Sequence, residues 1–454
     1  MGIRPKTLFR FSGLGLATLA ALNASAWAQD ASVEERLAAL EAQASGYVDN
    51  SYLFLIGGLI VMFMAAGFCC LEAGLVRSKN AAMQSMKNVA LFSVAGLMFW
   101  LVGYNMAYPS TTALGGLVGI PAFIWAPEES LDTGYAASSD WFFQMVFVAT
   151  AASIVSGTVA ERVKLWSFLA FTAVLTAFIY PIVASWEWGG GYLDSVWGFS
   201  DFAGSTLVHS TGGWAALVGA IVIGPRAGKY FGKQINPMPG SNIPLAALGT
   251  FILWFGWFGF NGASQLAAGT FDDINAVSKI FANTNMAAVG GVLAAMILTS
   301  VLYGGKVDAT MAFNGAIGGL VSITAEPLAP SMGASVLIGG VGGILVVLTV
   351  PLLDKFKIDD VVGAIPAHLV CGIWGTLIVA ASYGHNIMPN EAGDPSYVGQ
   401  LVGIALTGVV VSVLSFIVWT ALKATVGVRI TEEEELEGLD KTEVGLEAYP
   451  EFAS

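Results

Sequence analysis

Apolar positions in this chain fall in long blocks separated by short polar links, not at the spacing of a half-buried helix or strand. Eleven runs stand out, at about 52–76, 88–108, 139–160, 165–184, 203–224, 243–262, 280–303, 308–325, 333–353, 361–383 and 397–422. About 20 helical residues cross the hydrocarbon core of a bilayer, so each run is predicted to be a membrane-spanning helix. The fold class predicted is an all-α polytopic membrane protein. Ahead of the first run, Arg4, Lys6 and Arg10, an apolar stretch from Leu14 to Leu22, and Ala26-Trp27-Ala28 read as a signal peptide over residues 1–28. Residues 29–51 follow as a short extracytoplasmic segment. In it, Val33, Leu37 and Leu40 give a weakly amphipathic helix expected to lie on the surface.

Charge supplies the direction. With the N-terminus outside, fourteen of the nineteen Lys and Arg fall in the predicted inner loops and tail. Two, Arg36 and Lys279, fall outside, and three lie in the leader. That bias follows the positive-inside rule and predicts an inner (plasma) membrane protein with its N-terminus outside and its C-terminus cytoplasmic. Membrane lipid then surrounds residues 52–423, and residues 424–454 form a cytoplasmic tail. The acidic run Glu432 to Glu435 in that tail reads first as a solvated end.

Composition narrows the classes. Hydrophobic residues make up 56% of the chain and charged residues 11%, against about 25% charged in soluble domains. The formal net charge is −13, and no basic patch suggests nucleic acid. Cys69, Cys70 and Cys371 all lie in apolar runs and imply no disulfide framework. No nucleophile–base pair or cofactor loop is evident, so no enzyme, catalytic residue or cofactor is expected.

Two of the three histidines occupy one repeated pattern. Asp201-Phe-Ala-Gly204-Ser-Thr-Leu-Val-His209-Ser-Thr-Gly-Gly213 and Asp360-Val-Val-Gly363-Ala-Ile-Pro-Ala-His368-Leu-Val-Cys-Gly372 both read D-x2-G-x4-H-x3-G. The copies open the fifth and tenth runs. Five spans reverse the direction of crossing, so one copy enters from each side, and each histidine lies about 12 Å of helical rise further in. Two inverted five-helix repeats plus one extra helix are therefore expected, with the site at their interface. Ionisable groups at that depth are costly and point to function. Two neutral imidazoles offer a donor and an acceptor to a small polar guest. A metal is not expected, because no further His, Cys or carboxylate has ligand spacing. Asp201 and Asp360 each stand at a helix start, where a carboxylate caps backbone N–H groups. His385, in a predicted outer loop, reads as a solvated surface residue.

Aromatic residues gather near the predicted outer face. Trp188 precedes three glycines, Phe143 and Phe147 share a helix face, and Trp257, Phe258 and Phe260 are followed by Asn261 and Ser264. Such residues serve either as an interfacial belt or as a vestibule where a small cation rests on aromatic faces.

These blocks carry a resemblance. Asp201 through His209, Gly256-Trp-Phe-Gly-Phe-Asn261, and Asp359-Asp360 through His368 to Trp374 resemble the signature blocks of the Amt/Mep/Rh ammonium transporter family, on its Amt branch. Ala160-Glu161-Arg162 and the tail from Arg429 to Tyr449 are similar as well. The resemblance implies a homotrimer of eleven-helix subunits, each with a narrow pore carrying ammonium or ammonia inward. Trp188, Phe143 and Ser264 match the outer ammonium recruitment site, Phe147 and Phe260 the phenylalanine gate, and His209 and His368 the twin histidines. Asp201 matches the acidic residue that supports recruitment indirectly. The resemblance also implies a PII-type cytoplasmic regulator acting through the tail. Glu72, Ser185 and Val444 depart from some relatives. An ammonium sensor signalling through its tail is the alternative function on the same scaffold, and a neutral gas or water channel a third.

Overall fold

The computed structural model describes residues 33–390 and 393–452, so the predicted signal peptide lies outside the described residues. The eleven apolar runs become α1 (Val33–Leu75), α2 (Ser78–Ala107), α3 (Ala137–Thr158), α4 (Leu165–Ser185), α5 (Ser205–Ile223), α6 (Ile243–Ala263), α7 (Phe271–Leu302), α8 (Ala309–Thr324), α9 (Met332–Lys355), α10 (Ile365–Ser382) and α11 (Tyr397–Thr425). The molecule is an all-α polytopic membrane protein. Among the described residues ten of these helices are long and apolar enough to cross a bilayer.

Two differences from the sequence reading have local causes. The run at 308–325 shortens to the 16 residues of α8, about 24 Å of rise. Asp308 becomes its N-cap, accepting from the N–H groups of Thr310 and Met311, and the helix stops before Glu326-Pro327. The segment expected to lie on the surface instead continues into the first span, as one 43-residue helix. No Gly-Pro or Asn-Gly break separates the two parts, and Gly46 alone does not end a helix.

α3, α5 and α10 run through the middle of the bundle, and α1 packs along α6. α7, α8 and α9 pack on one another, with α8 also touching α6 and α10, while α11 braces α5 from outside. α5 and α10 open in the same way. Gly204 (φ 111°) and Gly363 (φ 78°) take the left-handed region that side chains avoid. Each is followed by a π turn, Ser205–Ser210 or Ile365–Val370, and each π turn holds a histidine. Such turns carry one extra residue in the helical ladder and often mark functional positions. Four residues beyond each histidine, the two halves lock together. A Cβ on Gly213 would come within 2.6 Å of Leu369 Cβ, and one on Gly372 within 2.3 Å of the Ser205 carbonyl oxygen.

The C-terminal tail is not a solvated end, although Glu432 and Glu433 are exposed. It runs back beneath the bundle, pairing Lys164 N–H with Val428 O (3.0 Å) and Ile430 N–H with Arg162 O (3.2 Å). Thr431 and Glu434 form a capping box at the helix Glu432–Glu437. Buried Glu435 accepts from Ala227 N–H and pairs with Arg429, both at 2.7 Å. Buried Asp440 caps α2 by accepting from Ala82 and Met83 N–H. A run of like charge looked solvated, but these two carboxylates have backbone donors and an arginine to meet.

The loops under the tail form a second charged network. Arg226 grips Asp359 with two N–H groups (2.8 and 2.9 Å) and reaches Glu161 (3.1 Å). Glu161 also binds Arg77 at 2.5 Å, from a left-handed backbone (φ 67°). Burial would push the Asp359 carboxyl up, yet the Arg162 and Arg226 guanidiniums hold it well below the usual carboxylate range.

Candidate functional site

The repeated pattern builds the site as follows. Asp201 presents both carboxylate oxygens to the start of α5. One accepts from Gly204 and Ser205 N–H (3.0 and 2.8 Å), the other from Thr206 and Leu207 N–H (2.7 and 2.9 Å). Asp360 does the same more sparingly, accepting from Ile365 N–H (2.7 Å) and from the Thr158 hydroxyl (2.9 Å). Both are helix caps, the role their positions suggested, and they satisfy donors that a helix end would otherwise leave unpaired. Within the first π turn, His209 N–H bonds back to Gly204 O at 2.9 Å.

These turns bring His209 and His368 together. Their Nδ1 atoms are 3.2 Å apart and their ring centres 5.2 Å apart. Both residues are fully buried. A contact between two Nδ1 atoms requires one to carry the proton and the other to accept it, so the two imidazoles hold opposite tautomers. The Nε2 atom of His209 is buried with no hydrogen-bond partner among the described residues. An unmet polar atom of this kind costs about 1–3 kcal/mol, which a polar guest would offset.

Rings extend in file on either side of the pair. Phe147 meets Trp188 edge-on at 6.1 Å and stacks on Phe260 at 3.9 Å. Phe260 stacks on His209 at 5.2 Å, and Trp257 flanks the same imidazole at 5.0 Å. Beyond the pair, His368 faces Phe68 at 6.0 Å. Phe143 leans edge-on against Phe147 at 4.8 Å and stacks on Phe54 at 5.4 Å. Trp188, half-buried, ends the file at one side of the bundle, which we call the aromatic end; the tail lies at the other.

Sequence-predicted residues therefore divide into groups. Trp188, Phe143, Phe147, Phe260, His209 and His368 are joined through ring contacts. Ser264 is tied in through its hydroxyl, which donates to Phe260 O at 2.7 Å. Asp201 supports the aromatic end, while Asp360 stands apart from it, against α3. Phe54 and Phe68 complete the file but carry no signal in the sequence, where they are two more apolar residues of the first run. Trp257 did stand out, and its N–H donates to the Thr324 hydroxyl at 2.8 Å, fixing the indole beside His209. His385 is exposed and contacts the Tyr397 hydroxyl. Among the described residues, no group of three or more His, Cys, Asp or Glu could hold a metal ion.

Comparison with known proteins places the chain in a family. A model of the Ammonium Transporter Family matches residues 52–449. Ammonium transporter Amt2 of Archaeoglobus fulgidus is 41% identical over 422 residues, covering 88% of this chain and 87% of that one. Ammonium transporter Amt1 of Haloferax mediterranei is 36% identical, over 89% and 80% of the two chains. Among solved structures, a sensor Amt protein superposes with a TM-score of 0.80 at 35% identity, over 88% of this chain and 98% of its own. Mep2 of Candida albicans, at 24% identity and a TM-score of 0.74 over 87% and 88% of the chains, shares the fold. With a model match across nearly all the described residues and relatives above a third identical, the chain belongs to the ammonium transporter family.

Proposed function

We propose that this protein carries ammonium inward across the cell's inner (plasma) membrane, recruiting NH4+ at the aromatic end and conducting NH3 past His209 and His368. The supporting observation is the file itself. The stacked Phe147–Phe260 pair stands between Trp188 and two buried imidazoles, one of which has an unmet nitrogen. In this reading the aromatic end faces outward, as the lysine and arginine bias favours. Trp188 and Phe143 hold the cation against their ring faces, and Ser264 offers its lone pairs. Asp201 orders that rim from behind.

Discrimination follows from burial. An intact ion entering a dry, ring-lined path loses its hydration at a cost of several kcal/mol or more. K+ has no way to avoid that cost. Ammonium can give a proton to water on the outer side of the Phe147–Phe260 stack, leaving hydronium there and NH3 to pass, and NH3 can then accept or donate a hydrogen bond at the Nε2 atom of His209. α8 crosses the membrane with the other ten helices, and α1–α5 and α6–α10 are inverted repeats around the site. The subunits assemble as a homotrimer, and a PII-type cytoplasmic protein regulates them through the tail.

Ammonium uptake by proteoliposomes, with current recorded in parallel, tests the reading. We expect ammonium-driven flux that K+ does not replace, lost in His209→Ala. Flux equal in wild type and variant would overturn the pore assignment. A second reading, ammonium sensing, draws on the likeness to the sensor Amt protein. It predicts binding in the aromatic end without net flux in the same vesicles.

A further inference from the structure

We infer that the N-terminal part of α1 forms a short parallel coiled coil with the same helix of other subunits, capping the assembly outside the membrane. The inference rests on the homo-oligomer proposed above. α1 has 43 residues, about 65 Å of rise, and roughly half of that crosses a core about 30 Å thick. The remainder projects beyond the aromatic end. It carries Glu34, Glu35, Arg36 and Glu41, residues that belong in water.

On that projection Val33, Leu37 and Leu40 are 79%, 54% and 56% exposed. With Ala44 they follow steps of four, three and four residues, the alternation of a coiled-coil seam. Among the described residues, side-chain hydrogen bonds from the chain's own loops hold the helix from the lower end of this stripe downward. Gln43 bonds Leu131 O (3.3 Å), Tyr47 bonds Glu129 (3.0 Å), and Asn50 bonds Gly134 O (3.0 Å). Leu37 and Leu55 are eighteen residues apart, five full turns, so the exposed stripe continues down the outward face of the span.

Charge selects the occupant. With Leu37 at position a, Arg36 falls at g and Glu41 at the e position five residues on. In a parallel, in-register pair those two positions face one another, and the charges are opposite. An antiparallel pair would set Glu41 against Glu41. An anionic lipid surface is disfavoured, since three acidic residues outnumber one arginine here. About twelve residues make too short a helix to associate alone. Subunits already held together raise the effective concentration enough to close it.

Cysteine cross-linking in native membranes tests this with the full chain. Under mild oxidation, Leu37→Cys and Leu40→Cys should give at least about fivefold more disulfide-linked dimer than Ala39→Cys on the far face, because a disulfide needs Cβ atoms about 4 Å apart. Unsubstituted protein, which keeps Cys69, Cys70 and Cys371, sets the background. Arg36→Glu should reduce the Leu40→Cys product, and adding Glu41→Arg should restore it. Equal product on both faces, or none at 37 and 40 in a protein of multi-subunit mass, overturns the coil and leaves the oligomer standing. A single-subunit mass in detergent overturns both. Ammonium flux measured on the same vesicles reports separately on transport.

Discussion

Trp188 donates its indole N–H to the carbonyl oxygen of Asp201 across 3.0 Å. The same residue's carboxylate holds four backbone N–H groups at the head of α5. One aspartate thus sets both the indole at the rim and the π turn that carries His209.

Asp201→Ala should therefore damage fold and function together. Losing a helix cap costs about 1–2 kcal/mol, and charge-assisted bonds are stronger than neutral ones. We expect a lower melting temperature in detergent and a large loss of ammonium flux. Asp201→Asn, which keeps one acceptor oxygen, should fall between. A variant with native stability and native flux would contradict the supporting role.

Phe147 and Phe260 stack at 3.9 Å, and the second ring also backs His209. Replacing either by alanine leaves a gap that water can follow. Phe260→Ala should cost about 3–5 kcal/mol in stability; Phe147→Ala, further from the imidazole, should be milder in its effect on the site. Both should admit a K+ current absent from wild type, measured in a K+ gradient without ammonium. Unchanged selectivity would mean that the stack is not the barrier.

The 3.2 Å contact between His209 and His368 makes each the other's partner. Removing one strands the other's Nδ1, so the two single alanine variants should be nearly as impaired as the double. Flux from the three proteins, compared as a double-mutant cycle, measures the coupling. Simple additivity would indicate two independent roles.

Much of this site was legible because its chemistry is rare in an apolar background. Two histidines in one repeated pattern could be found by eye, and Asp201 and Asp360 could be read as caps from position alone. The bundle was legible because long apolar runs have few alternatives in lipid. What escaped was local. A π turn leaves no mark on residue type, so its extra residue beside His209 and His368 was invisible. Phe54 and Phe68 differ from their apolar neighbours only in where the helix turns them. Glu435 and Asp440 sat in a tail whose charge suggested water, and only the folded loops supply their donors. Val33, Leu37 and Leu40 suggest a separate surface helix because nothing local declares that α1 continues through them.

Asp440 gives a prediction for that tail. Its carboxylate accepts from Ala82, Met83 and Ala448 N–H, at 3.1, 2.8 and 3.2 Å. Asp440→Ala removes a cap worth about 1.4 kcal/mol, so local opening should rise about tenfold. Trypsin cleavage at Lys441 in inside-out vesicles should accelerate by a similar factor. An unchanged rate would show that other contacts hold the tail.

Asp359 predicts a pH response. Its carboxyl, buried against Arg162 and Arg226, is held below the ordinary range. A depressed carboxylate stabilises the fold fully above its unfolded value of about 4, and that contribution is lost as the pH falls through the folded value. The melting-temperature gap between wild type and Asp359→Asn should be constant from about pH 7 down to about 4 and shrink below. At neutral pH the gap should stay below the cost of a buried pair broken outright, about 3–5 kcal/mol, because Arg226 loses Asp359 but keeps Glu161. A gap that grows on acidification would reverse the assignment.

Gly213 makes room for Leu369, which follows His368, while Gly372 makes room for the carbonyl of Ser205, at the head of the His209 turn. Neither half of the chain, on its own, supplies the floor on which its histidine's turn rests. Cut in the link between α5 and α6, the two pieces would each carry an imidazole in an unfinished setting. Only on meeting would the site exist, and the seam leaves little latitude: each glycine faces backbone across it, Leu369 N and Cα in one case and Ser205 O in the other, so no smaller side chain opposite could make room for a bulkier residue.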